Sequence, residues 1–145
     1  SATAKSRGRC DAMACFLAKT DPETYSIDDL KRDGTTEWDG VRNPTAVNAI
    51  KTMKPGDTVI IYHSQGQAAV VGLAKVVSAP RPDPKDAKSW VADFKYLKHA
   101  RKQVTLKEIK ESHKFDDWLL VRQGRLSTMA APEAFWKWLE KQGAF

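Results

Sequence analysis

Two polar clusters in this sequence carry recognition chemistry. The first is Trp38-Asp39-Gly40-Val41-Arg42-Asn43. Trp38 stands in a polar stretch, flanked by Glu37, Asp39 and Gly40, and belongs to no apolar period. Two roles fit it. It caps the core, or it is an exposed aromatic plate on which a nucleobase stacks for about 1–3 kcal/mol. Asn43, next to Arg42, carries both a donor and an acceptor and so can read a base edge. It is equally a helix cap ahead of Pro44, and the roles are compatible because a cap directs the helix N-terminus at a ligand. The second cluster is Arg122-Gln123-Gly124-Arg125-Leu126-Ser127. Its guanidiniums and amide suffice to fix a planar heterocycle or a phosphate.

Catalytic and metal chemistry find less support. His63, His99 and His113 are scattered, and none pairs with another His or a Cys at ligand spacing, so no metal site is expected. His63 and Ser64 are adjacent, which on a strand points them to opposite faces, whereas a Ser–His dyad needs them facing one another. Cys15 lies in an apolar run, where a thiol is inert. There is no G-x-S-x-G, P-loop or G-x-G-x-x-G. The carboxylate pairs Asp28-Asp29 and Asp116-Asp117 read as a helix cap and a solvated loop. An enzyme would have to use His63 and Asp39, neither with a visible partner, so no catalytic residue and no cofactor are expected.

Charge adds a partner class. Lys plus Arg number 24 against 18 Asp plus Glu, a net of +6. The excess is concentrated in residues 95–114, where Lys95, Lys98, Arg101, Lys102, Lys107, Lys110 and Lys114 face only Glu108 and Glu111. Such a strip suits a polyanion, with Lys98, Arg101 and Lys102 as candidate phosphate contacts; it also suits a plain solvated face.

These residues need a scaffold. Ala14–Lys19 is a short apolar run that reads as a buried strand, and Ser26 with Asp28-Asp29 opens a helix that Asp33-Gly34 stops. Gly34–Arg42 reads as a loop. Asn43-Pro44 starts a helix carrying Ala46, Val47, Ala49, Ile50 and Met53 at helical spacing. Thr58–His63 and Ala68–Val77 read as strands joined through Ser64–Gln67, with Gly72 marking a bulge or a close backbone approach. Ala79–Ser89 has three prolines and reads as a loop. Trp90–Leu97 alternates as a strand, Thr105–Glu108 is a capping box, Trp118–Arg122 reads as a strand, and Pro132 opens a last helix that ends at Gly143.

The result is an α+β domain of five to six strands with short flanking helices, curled into a mixed barrel that removes its edges. The length of 145 residues, with 41% apolar and 29% charged, fits one globular domain that needs no staple. Residues 1–12 read as a disordered basic tail and 13–145 as the domain. Cys10 and Cys15 look like free thiols of a reducing compartment. The longest apolar run, Ala12–Ala18, is far below the roughly 20 residues of a membrane span.

Lys19-Thr20-Asp21-Pro22-x-x-Tyr25-Ser26, Trp38-Asp39-Gly40-Val41-Arg42-Asn43, Tyr62-His63-Ser64, Val71-Gly72-Leu73-Ala74 and Arg122-Gln123-x-Arg125-Leu126-Ser127 together resemble the EVE domain family, from about Ala14 to Gly143. The resemblance implies a PUA-like barrel, related to the YTH domain that reads methylated adenine, and a pocket for one modified base, with modified cytosine in DNA favoured over RNA. It implies that Trp38 stacks on the base. Asn43, Ser64 and Gln123 would contact its edge, with Arg42 beside them. Lys19, Thr20, His63, Arg125 and Ser127 would line the pocket or hold the flanking phosphate. The chain departs from the family in Cys15-Phe16-Leu17, in Thr20-Asp21-Pro22, in a short loop after Ser64, and in Pro44, where the family has a Tyr near the pocket mouth. Base identity therefore stays open.

The expected function is non-enzymatic binding of nucleic acid carrying a modified base. A protein-interaction or small-ligand module on the same barrel is the alternative, and an enzyme acting on a modified nucleotide a more distant one. The basic tail and the resemblance point to the nucleus, with an organelle as the alternative. A monomer is the default.

Overall fold

Three apolar stretches make the centre of the sheet: Cys15–Thr20 (β1), Thr58–His63 (β3) and Ala69–Val76 (β4). Runs of this kind belong where both faces are covered. The computed structural model describes residues 15–39, 41, 43–64, 68–122 and 126–145. The expected tail at 1–12 and the turn residues 65–67 lie outside the described residues. Ile27–Asp33 (α1), Thr35–Trp38 (β2) and Pro44–Lys51 (α2) form the crossover from β1 to β3, which pair in parallel. The remaining pairings are antiparallel. They bring in Arg81–Asp83 (β5), the long strand Asp86–Thr105 (β6) and Thr128–Ala131 (β7). Leu106–Ser112 (α3), Leu119–Arg122 (α4) and Glu133–Lys141 (α5) complete the described elements.

The sheet runs β2-β6-β4-β3-β1-β7, with β5 paired to β6 off that path. The α+β class is as expected, but the closed barrel of five to six strands is not. Seven strands are present, and the path is open at β2 and β7 among the described residues. Both end strands are only four residues long. Trp38, at the end of β2, and Ser127, just ahead of β7, line one cavity.

Four local expectations change. The loop expected over Gly34–Arg42 contains β2, because Thr35–Trp38 find partners at Lys95–Ala92 of β6, and a polar strand gives no alternating pattern to read. The proline-rich loop contains β5, with Pro82 opposite Trp90 at the edge, where a missing N–H is tolerated. The expected strand at Trp118–Arg122 is instead α4, set up by local bonds from the Val121 and Arg122 N–H groups to the Trp118 carbonyl. A short apolar run does not distinguish strand from buried helix by period alone. Cys15 is disulfide-bonded rather than a free thiol.

The core is one hydrophobic cluster running from Phe16 and Leu17 through Ile60, Leu73 and Phe94 to Phe135 and Leu139. Thr105 and Glu108 form the expected capping box of α3, and Ser26 and Asp29 form another on α1. Gly72 is a close approach: a Cβ there would lie 2.7 Å from Ile27 Cδ1 and 2.8 Å from the Lys98 carbonyl oxygen. That contact seats the first turn of α1 on β4 and β6.

Candidate functional site

Trp38 ends β2 and is 9% exposed. Phe94, on β6, stacks against its indole with centroids 5.1 Å apart and planes 26° apart. Tyr25 meets it edge-on at 6.5 Å. Trp38 is thus built into the edge of the core rather than standing as a plate in a loop. It nevertheless forms part of the wall of a cavity of about 420 Å³. The rest of the wall comes from the end of β1 (Lys19, Thr20), the following turn (Asp21, Thr24, Tyr25), β2 with its sequel (Thr36, Glu37, Asp39, Val41) and Ser127, just ahead of β7.

The turn after β1 is stitched from within. The Thr20 hydroxyl donates to the Tyr25 carbonyl at 2.6 Å, and the Tyr25 hydroxyl donates to Asp33 at 2.7 Å. Asp21 Oδ1 accepts the Glu23 N–H at 2.9 Å. The Thr20 carbonyl accepts from the Ser64 N–H at 3.0 Å and from its hydroxyl at 3.4 Å. On the other side the Lys19 N–H donates to the Ser127 carbonyl at 2.7 Å. Lys19 is half-buried, with its Nζ 5.6 Å from the centre of the Tyr62 ring. Burial pulls its pKa below the ordinary lysine value and pushes the Tyr62 hydroxyl up to about 12.

Of the residues singled out in the sequence, Lys19, Thr20, Trp38 and Ser127 meet at this cavity. Asn43, His63 and Ser64 do not line it. Asn43 Oδ1 caps α2, accepting from the Thr45 N–H at 2.9 Å and the Ala46 N–H at 3.4 Å. Ser64 braces Thr20, as above. His63 Nε2 accepts the Ile27 N–H at 3.1 Å, which fixes its neutral tautomer with the proton on Nδ1 and anchors α1, the helix that follows the cavity wall. Arg42, Gln123 and Arg125 lie outside the described residues.

The candidate phosphate contacts are spread out. Lys98 pairs with Leu73 across a bulge that turns it away from the Tyr96 and Trp38 face, and its ammonium lies 5.7 Å from the centre of the Phe145 ring. Lys102 sits 3.7 Å from Glu108. The Arg101 N–H holds the Ala144 carbonyl, and its side chain is exposed. Sequence reasoning gave no role to Thr24, Tyr25, Thr36 or Val41. The Thr20-Asp21-Pro22-x-x-Tyr25 block was the available signal for the first two.

His63 gives a testable pH dependence. Burial lowers its pKa, with Asp28 opposing that shift and His99 adding to it. His99 Nε2 is 2.7 Å from Asp28 and its Nδ1 is 2.6 Å from the Tyr96 hydroxyl, so the groups form one cluster over α1. A histidine held neutral in the folded state leaves the unfolded state to take the proton first. Its contribution is therefore complete above the unfolded value of about 6.5 and declines as pH falls below it. Urea midpoints measured from pH 8 to 5 should fall below that point, and His63→Gln should shrink the fall. A midpoint that holds constant from pH 7 to 5 would count against this role.

The EVE domain family model matches residues 14–142. Mouse thymocyte nuclear protein 1 is 32% identical over 126 residues, covering 68% of this chain and 56% of its own length. The human protein of that name is 30% identical over the same span. The chain thus spans about half the length of these curated relatives. A structure of an Agrobacterium tumefaciens protein superposes with a TM-score of 0.85 at 31% identity, covering 91% of this chain and 94% of that one. Human THYN1 protein, solved in complex with 5-methylcytosine-containing DNA, superposes with a TM-score of 0.79 at 26% identity, covering 89% of this chain and 97% of that one. By the family match over nearly its whole length, this chain belongs to the EVE domain family.

Proposed function

We propose that this protein is a non-enzymatic reader of a modified base in nucleic acid, with modified cytosine in DNA as the ligand. The base is held in the cavity against Trp38. The observation that carries this reading is an indole backed by Phe94 in the wall of a cavity whose volume suits one small ligand. An aromatic ring held flat by a second ring is a stacking surface that needs no ordering when the ligand arrives. Similarity to a protein solved with 5-methylcytosine-containing DNA supports the choice of base and of DNA. The engagement of His63 Nε2 by a backbone N–H supports binding over catalysis. One chain builds the cavity, so a monomer suffices, and the name shared by the relatives supports a nuclear site of action.

A base reaches such a cavity only out of the stack, which costs a duplex a few kcal/mol, and contacts to the phosphates offset that cost. Lys98, Arg101 and Lys102 remain the proposed tract, with Arg101 the most available of the three.

The test is a titration of oligonucleotides that differ only in one cytosine or 5-methylcytosine, at two salt concentrations. One methyl buried at about 0.8 kcal/mol predicts a preference of about fourfold for the modified base. Salt should weaken both ligands alike. Equal, salt-labile binding to both would overturn the reading and leave a basic surface as the only activity.

A further inference from the structure

The lip of the cavity carries a charge pattern that stacking does not use. Its one described cation is Lys19, and Asp21, Glu37 and Asp39 are its carboxylates. These acids are not equivalent. Glu37 pairs with Asp93 across the strands, on the face of β2 opposite Trp38, where Arg81 Nη2 lies 2.7 Å from Glu37 and 3.1 Å from Asp93. Asp21 is committed to its own turn through the Glu23 N–H. Asp39 directly follows Trp38, is exposed, and has no ion-pair or hydrogen-bond partner among the described residues. A carboxylate accepts hydrogen bonds and donates none. It lines the same cavity as the Trp38 ring, with Lys19 contributed to that wall from β1.

We propose, on the basis of the base-binding reading above, that Asp39 determines which pyrimidine the cavity takes. Its carboxylate accepts from the 4-amino group of a cytosine stacked on Trp38, and Lys19 donates to the acceptor groups of the same ring. Thymine presents a carbonyl oxygen at position 4, where cytosine presents a donor. Against Asp39 that oxygen sets two acceptors face to face with no proton between them. A site built to hydrogen-bond a group discriminates strongly against an analogue that lacks it, because its own polar atom is left unpaired. 5-Methylcytosine and thymine share the ring, the 5-methyl and the stacking face. Only the edge that Asp39 would read differs.

Single-stranded oligonucleotides differing at one position, as 5-methylcytosine, thymine or cytosine, isolate this effect from the cost of opening a duplex. The wild-type protein should bind 5-methylcytosine over thymine by about ten- to a hundredfold. Asp39→Asn should reduce that ratio to within about threefold, because an amide that can donate as well as accept serves either edge. The side chain is exposed, so a thermal melt of the variant should match the wild type. A 5-methylcytosine-to-thymine ratio unchanged in Asp39→Asn overturns the proposal, while the preference for 5-methylcytosine over cytosine keeps the base-binding reading standing. No preference among the three oligonucleotides in the wild type overturns both.

Discussion

Trp38→Ala should abolish base-selective binding and also weaken the fold, and the two effects can be separated. The indole is almost fully covered, stacked on Phe94 and met edge-on by Tyr25. Removing a buried aromatic of this kind costs about 3–5 kcal/mol of stability through lost burial and the cavity left behind. Loss of the stacking surface costs a bound base about 1–3 kcal/mol, or roughly five- to 150-fold in affinity. Trp38→Phe separates the terms. A phenyl ring at the same position keeps an aromatic surface on Phe94 and leaves a smaller void, so it should retain selectivity with an intermediate melting temperature. The measurement is a pair of titrations, modified and unmodified cytosine, alongside a thermal melt of each variant. A folded Trp38→Ala protein that still selects the modified base at wild-type affinity would remove Trp38 from the site.

Gly72→Ala is the second large effect, and it acts from behind the cavity. The new Cβ would meet Ile27 Cδ1 at 2.7 Å, Ile27 Cγ1 at 2.9 Å and the Lys98 carbonyl oxygen at 2.8 Å. The Ile27 side chain is buried, and the carbonyl belongs to the β4–β6 ladder, so neither side yields without moving an element. Overpacking of this kind costs about 1–3 kcal/mol. The displacement falls on the first turn of α1, which His63 anchors through Ile27 and which directly follows Tyr25 of the cavity wall. Base affinity should therefore fall together with the urea midpoint. Ile27→Ala removes two of the three contacts, so the double variant should be more stable than the sum of the single costs predicts, by about 0.5 kcal/mol or more. A Gly72→Ala protein with the wild-type midpoint would show that the strands accommodate the methyl.

What the sequence determined by itself is local. Asn43-Pro44, the Ser26–Asp29 pair and the Thr105–Glu108 pair each satisfy the orphan N–H groups of a helix start within a few residues, so the helices begin where those residues stand. The runs of β1, β3 and β4 announce strands, and Gly72 announces a bulge or a close backbone approach. Motif blocks compared with a known family brought forward ten candidate residues, of which Lys19, Thr20, Trp38 and Ser127, as many as 108 positions apart, line the cavity.

Tertiary structure decided everything that depends on a distant partner. β2 is a strand only because β6 offers it a ladder, so Trp38 could not be assigned to the core edge before Phe94 was placed behind it. His63 and Ser64 read as polar groups available to a ligand, yet each is engaged by backbone: the Ile27 N–H and the Thr20 carbonyl. A side chain's hydrogen-bonding capacity is visible in a sequence, but the group that uses it is not. The open sheet follows the same logic. A pattern of strands predicts edges that need covering, whereas only the assembled chain shows that residues at both ends, Trp38 by β2 and Ser127 by β7, border a cavity instead of each other.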